Sequence, residues 1–141
     1  MKIEHGNRSH LPLLAEINHL LSQLSSSARP LSATELGAVM DSDTPHLLLA
    51  TDDGRLCGML TLVVFRIPTG IRAWIEDVVV NDADRGKGVA KTLLEAAIEQ
   101  ARSMGAKTLD LTSRPAREAA NRLYRKVGFV QRETNVYRIE T

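Results

Sequence analysis

Val78-Val79-Val80-Asn81-Asp82-Ala83-Asp84-Arg85-Gly86-Lys87-Gly88-Val89-Ala90-Lys91 reads as an apolar strand, a short polar turn, a glycine-rich loop and the start of a long amphipathic helix. A helix entered this way leaves its first backbone N–H groups without partners and aims them, with the positive end of the helix dipole, at one spot. Anions bind there, phosphates above all. Gly86 and Gly88 allow left-handed backbone and close approach of a ligand, because neither carries a Cβ. Arg85 and Lys87 add cationic side chains at the same place. The segment is a candidate pyrophosphate cradle.

Two other phosphate-binding patterns fit less well. The chain has no G-x-x-x-x-G-K-[ST] loop. A G-x-G-x-x-G dinucleotide fingerprint wants a third glycine where Lys91 stands, although Asp110 is tolerably placed for the acid that follows it. The loop also lies beyond mid-chain, with too little sequence after it for a doubly wound sheet.

Working outward from the cradle, the chain reads β-α-α-β-β-β-α-β-α-β. Lys2 to His5 is a short strand, and Ser9 opens a helix with Leu13, Leu14, Ile17, Leu20, Leu21 and Leu24 at helical spacing. Ser25 to Pro30 breaks it. Ser32-Ala33-Thr34-Glu35 is a capping box for a second helix towards Met40. His46 to Thr51 and Leu56 to Phe65 form a hairpin about Asp52-Asp53-Gly54, and Pro68-Thr69-Gly70 turns into a strand from Arg72 to Val80. The cradle helix buries Val89, Ala90, Leu93, Leu94, Ala97, Ile98 and Ala101 and stops at Gly105. A strand from Thr108 to Thr112, a helix opened by Pro115 and closed by Gly128, and a last strand from Val136 to Ile139 complete the order.

At 141 residues the length fits a single domain, 1–141, with a proper core. A formal net charge of +1 gives no electrostatic case for nucleic acid. No apolar run is long enough to span a membrane, and Met1 to His5 lacks the apolar core of a signal peptide. Cys57 stands alone, which excludes an intrachain disulfide or a cysteine zinc site and points to a reduced, cytoplasmic setting. The four histidines show no metal-ligand spacing, so no metal is expected.

Arg85-x-x-Gly88-x-Ala90 matches the R/Q-x-x-G-x-G/A acetyl-CoA signature of the GNAT superfamily of N-acetyltransferases. The chain resembles that superfamily beyond the signature. Trp74-Ile75-Glu76-Asp77-Val78-Val79-Val80 looks like its fourth strand, and Ala120-Asn121-Arg122-Leu123-Tyr124-Arg125-Lys126-Val127-Gly128-Phe129 looks like its closing A-x-x-[FL]-Y-x-K-x-G-F motif. The resemblance implies an α/β fold: a mixed, mostly antiparallel sheet, splayed after the fourth strand and flanked by about four helices. It implies acetyl-CoA as co-substrate, and a primary amine as acceptor, a small molecule in preference to a protein. It also implies direct attack of the amine on the thioester.

Such chemistry needs a group to take the amine proton, donors for the developing oxyanion and an acid near the departing thiolate. Tyr124 matches the family tyrosine, and a phenol is close enough in pKa to a thiol to donate to the departing sulfur. Glu76 is the candidate base, because burying a carboxylate in so apolar a strand is costly without a role for it, with Asp77 as second choice or as a partner in attracting a cationic amine. Trp74, Glu76, Val78 and Val80 are expected on one strand face, opposite Ile75, Asp77 and Val79. By the resemblance, Val78, Val79 and Val80 present backbone to the pantetheine arm, Arg85, Gly86, Lys87, Gly88, Val89, Ala90 and Lys91 hold the pyrophosphate, and Asn121 reaches the pantetheine. Trp74 is expected in the core, with a place in the acceptor pocket on the Glu76 face as the other reading. By the resemblance, the Ser25 to Ser32 segment, Phe65, Arg114, Arg117 and Tyr137 are acceptor-pocket candidates, and family habit suggests a homodimer. The alternative is a non-catalytic acyl-CoA sensor or docking module.

Overall fold

A computed structural model describes all 141 residues, which divide into two compact units, Met1–Leu111 and Thr112–Thr141. The first holds one five-stranded sheet: β1 (Lys2–His5), β2 (Pro45–Asp52), β3 (Arg55–Ile67), β4 (Gly70–Val80) and β5 (Thr108–Asp110), in that spatial order. Successive strands pair antiparallel except β4 with β5, which run parallel. The mixed, mostly antiparallel sheet expected above is therefore present. No helix is long and apolar enough to cross a membrane.

Local chemistry sets the element ends. Asn7 caps a 3-10 turn over Arg8–Leu13 and passes the chain into α1 (Leu14–Leu24), a later start than the Ser9 expected from sequence. Pro12 has no N–H to give an α-helical ladder, which fits the 3-10 stretch before it. Ser32 and Glu35 make both bonds of the capping box that opens α2 (Ala33–Asp41), at 3.1 Å each. Asp53 and Gly54 both have positive φ, 48° and 77°, the twisted two-residue turn that suits a hairpin.

Alternation explains why β2 and β3 are apolar on both sides. Leu47, Leu49, Leu56, Met59 and Val79 pack with Ile17, Leu20 and Leu36 from α1 and α2. Gly58, next to Met59, faces the opposite way, towards Val89 and Leu93 of α3 (Val89–Ser103). Leu49, Leu60, Leu62, Leu93 and Leu94 are wholly inaccessible, each contributing about 1.5–3 kcal/mol by burial. A Cβ on Gly58 would sit 2.9 Å from the Val79 carbonyl and 3.0 Å from Val89. Gly58→Ala is expected to destabilise the fold by about 1–3 kcal/mol, measured by urea denaturation. A wild-type midpoint would show that strand and helix give way easily.

The second unit carries α4 (Glu118–Val127), ended by Gly128 at φ 120°. It begins three residues after Pro115, because Arg114–Arg117 closes a turn first through Arg117 N–H to the Arg114 carbonyl. The last strand expected at Val136–Ile139 is absent. Val136, Tyr137 and Ile139 are 71–87% exposed with no partner strand, and an apolar alternation without a ladder to join gains too little to become β-structure. The strand expected at Thr108–Thr112 likewise ends at Asp110, where its pairing with β4 ends.

Candidate active site

The sheet opens in the middle of β4. On its β5 side, pairing covers only Arg72, Ala73 and Trp74, while on its β3 side it continues to Val80. From Ile75 onward one edge of β4 has no strand beside it. Within that stretch the β3 register slips: Thr61 faces Glu76 and Met59 faces Val79, so Asp77 and Val78 together oppose the single Leu60. Asp77 takes φ 52°. Left-handed backbone disfavours most L-residues, and aspartate is among the few that tolerate it. The face alternation expected from Trp74 to Val80 therefore holds from Trp74 to Glu76 and is interrupted at this bulge.

The two carboxylates differ in environment. Glu76 is exposed, and its Oε1 accepts a 2.7 Å hydrogen bond from the Trp74 indole N–H. The burial cost invoked for Glu76 from sequence does not arise. Asp77 is exposed by surface area, yet the protein around it crowds out enough water to raise its carboxyl above the ordinary range, with the Glu76 charge adding to the rise. Trp74 is half-buried and hydrogen-bonded to Glu76, so it is not a pure core residue.

Val80 leads through a single 3-10 turn, Asp82–Asp84, into the cradle. Gly86 and Gly88 take φ 78° and 81°, and a Cβ on either would meet nothing within 4 Å. Both glycines thus serve backbone conformation and open space, not packing. Gly88 is the N-cap of α3 and offers no capping side chain. The N–H groups of Val89, Ala90 and Lys91 precede the first α3 bond, Thr92 N–H to the Gly88 carbonyl at 3.0 Å. These donors, with the α3 dipole, fit a pyrophosphate.

The cations of the loop are partly engaged by neighbours. Arg85 pairs with Asp82 at 2.9 Å, Lys87 reaches Asp84 at 3.4 Å, and Lys91 lies 3.8 Å from Glu95. The sequence reading missed Asp84. Its carboxylate is 3% exposed and takes two hydrogen bonds from Arg55, at 2.7 and 2.8 Å. Those bonds outweigh the cost of burial and, with Lys87, hold its pKa at about 2. Two acids followed by two bases after a strand gave no hint which acid is buried, since its partner lies on the β2–β3 hairpin.

This pair gives a definite pH dependence. The folded-state value lies below the ordinary 3.8, so its stabilisation is complete above about pH 4 and is lost as pH falls towards 2. Thermal melts between pH 5 and 2.5 should show a decline that is shallower in Asp84→Asn, which is already less stable at pH 5. Parallel declines would remove Asp84 from the acid response.

In the second unit, Tyr124 is buried and packs edge-on against Phe129, with ring centroids 6.1 Å apart. Desolvation raises its phenol pKa above 10, and the Arg117 charge opposes that rise. The hydroxyl therefore stays protonated and able to donate. Asn121 spends its amide N–H groups on the carbonyls of Arg114 and Pro115, at 3.0 and 3.5 Å, and so braces the loop before α4. Its carbonyl oxygen keeps its acceptor capacity. Arg114 and Arg117 are exposed on that loop, Phe65 is 38% exposed at the far end of β3, and Tyr137 is 87% exposed.

Comparison with known proteins places this geometry. The acetyltransferase (GNAT) family model matches residues 14–129. A solved protein of Agrobacterium tumefaciens str. C58 is 25% identical, with all of both chains covered and a TM-score of 0.88. An acetyltransferase of Trypanosoma brucei is 27% identical over 99% of each chain, with a TM-score of 0.81. An aminoglycoside acetyltransferase from an uncultured soil metagenomic sample, solved with trehalose, shares the fold at 19% identity and a TM-score of 0.87, over 99% of this chain and 95% of its own. No curated protein matches the chain.

Proposed function

Since the chain belongs to the acetyltransferase (GNAT) family, whose co-substrate is acetyl-CoA, we propose that residues 1–141 act as one domain that transfers an acetyl group to a primary amine, of a small molecule in preference to a protein. The observation that carries this reading is the open cradle at Gly86–Lys91 at the end of a strand whose edge is free from Ile75. Acetyl-CoA, when bound, supplies an acetyl group activated as a thioester.

The residues divide the remaining work. The backbone donors of Gly86 to Lys91 would hold the pyrophosphate, with Arg85 and Lys87 as cationic flanks. The free edge of β4 at Val78, Val79 and Val80 would hold the pantetheine arm, and the Asn121 carbonyl oxygen would accept from it. Glu76, solvent-accessible and with its Oε2 free, takes the ammonium proton, directly or through water. Asp77, made a stronger base by its surroundings, attracts the cationic amine and is second choice for the proton. Tyr124, a phenol and so neutral at working pH, donates its proton towards the departing sulfur.

Two measurements test the reading. Acetyl-CoA at a hundred times its Kd should raise the melting temperature, reflecting about 2.7 kcal/mol of linkage. Thiol release should then be followed with spermidine, an aminoglycoside, glucosamine 6-phosphate, amino acids, an aminophosphonate and short peptides as acceptors. With the best of these, Glu76→Gln is expected to lower kcat by about tenfold or more, within the range of general-base catalysis. Asp77→Asn should chiefly raise the acceptor KM. A kcat loss confined to Asp77→Asn would exchange the two roles. Stabilisation by acetyl-CoA with no turnover of any amine would favour a sensor.

A further inference from the structure

The Trp74 indole N–H donates to Glu76 Oε1 at 2.7 Å, and the two residues sit on either side of a structural boundary. Trp74 is the last residue of β4 held from both sides, by Val63 of β3 and Asp110 of β5. Glu76 lies just past the splay and is held by β3 alone. Its side chain is exposed and forms no ion pair, so without the indole it would wander among rotamers.

Resting on the reading of Glu76 as proton acceptor, we propose that Trp74 is a positioning residue that fixes the Glu76 carboxylate for proton transfer. Indole is suited to this, because it has one donor and no acceptor. It orients one carboxylate oxygen without competing for the amine proton, and it leaves Oε2 for that proton. Anchoring a reactive group from a rigid element keeps it in productive geometry between turnovers.

The test is a double-mutant cycle with the best acceptor of the panel above. Trp74→Phe keeps a ring and removes the donor. It should lower kcat about three- to tenfold, the span of one ordinary hydrogen bond, with KM for acetyl-CoA and melting temperature near wild type. Trp74→His, whose ring carries an N–H, should recover part of the loss. In a Glu76→Gln background Trp74→Phe should have little further effect. An equal loss in both backgrounds would make Trp74 independent of Glu76 and overturn the proposal. So would wild-type kcat in Trp74→Phe when Glu76→Gln is slow, an outcome that leaves the role of Glu76 intact. Normal turnover in Glu76→Gln would instead remove the base itself and the proposal with it.

A second readout does not depend on activity. Trp74 is the only tryptophan in the chain, so emission excited selectively over the tyrosines comes from this side chain. Glu76→Ala should shift the emission, and Asp77→Ala should leave it nearly unchanged. Identical emission in wild type and Glu76→Ala would show that the contact does not hold in solution.

Discussion

Replacing Tyr124 by Phe is expected to lower kcat by about tenfold or more while KM for acetyl-CoA stays near wild type. The substitution removes one oxygen and little else. The ring keeps its edge-on contact with Phe129, 6.1 Å away, so the melting temperature should hardly move. What disappears is a neutral proton donor, which burial holds still further from ionisation. The same burial fixes the sign of the pH response. A phenol raised above its ordinary value of 10 stays protonated throughout the working range, so Tyr124 contributes no loss of activity below about pH 10. Steady-state kinetics from pH 6 to pH 10 would check both points. Unchanged kcat in Tyr124→Phe would leave the ring a packing role and assign the proton to solvent.

Gly88→Val is expected to weaken acetyl-CoA binding by about tenfold and to lower the melting temperature by a few degrees. Gly88 holds φ 81° at the α3 N-cap. Left-handed backbone costs an ordinary L-residue about 1–2 kcal/mol, and a β-branched one fits it badly. The first atom of the new side chain finds open space, since a Cβ there meets no atom within 4 Å. The damage is therefore conformational, and it falls on the turn that aims the free N–H groups. A frayed turn must be rebuilt each time the pyrophosphate binds. Gly105→Ala is the control, because Gly105 holds φ 82° just past the other end of the same helix. It should lower the melting temperature comparably and leave binding alone. Equal loss of binding in both variants would mean that general softening of α3, not the cradle, is responsible.

Much of the fold was legible because its signals are local. The capping box at Ser32 and Glu35, the turn at Asp53-Gly54 and the spacing of Leu93, Leu94 and Ala97 each report on a few neighbouring residues. The cradle was legible for the same reason, since Gly86 and Gly88 stand next to the helix they open. Pairings between distant segments were not. Asp84 gave no sign that Arg55, 29 residues earlier, would take both its oxygens. Gly58 reads as an ordinary weak spot in a strand, and only the nearness of Val79 and Val89 explains it. The bulge at Asp77 was invisible because it depends on the register of β3. It altered the reading of the site by ending the alternation that had set Glu76 and Asp77 on opposite faces. The strand expected at Val136–Ile139 failed in the opposite sense, because an apolar alternation says nothing about whether a partner edge is at hand.

The most direct test is to incubate wild-type protein with acetyl-CoA and each amine of the panel, and to read thiol release and the mass of the acceptor together. Thiol release matched one for one by acetylated amine, with one acceptor class strongly preferred, is the predicted result. Acetyl-CoA that binds and stabilises the protein while every amine is recovered unmodified would contradict the account.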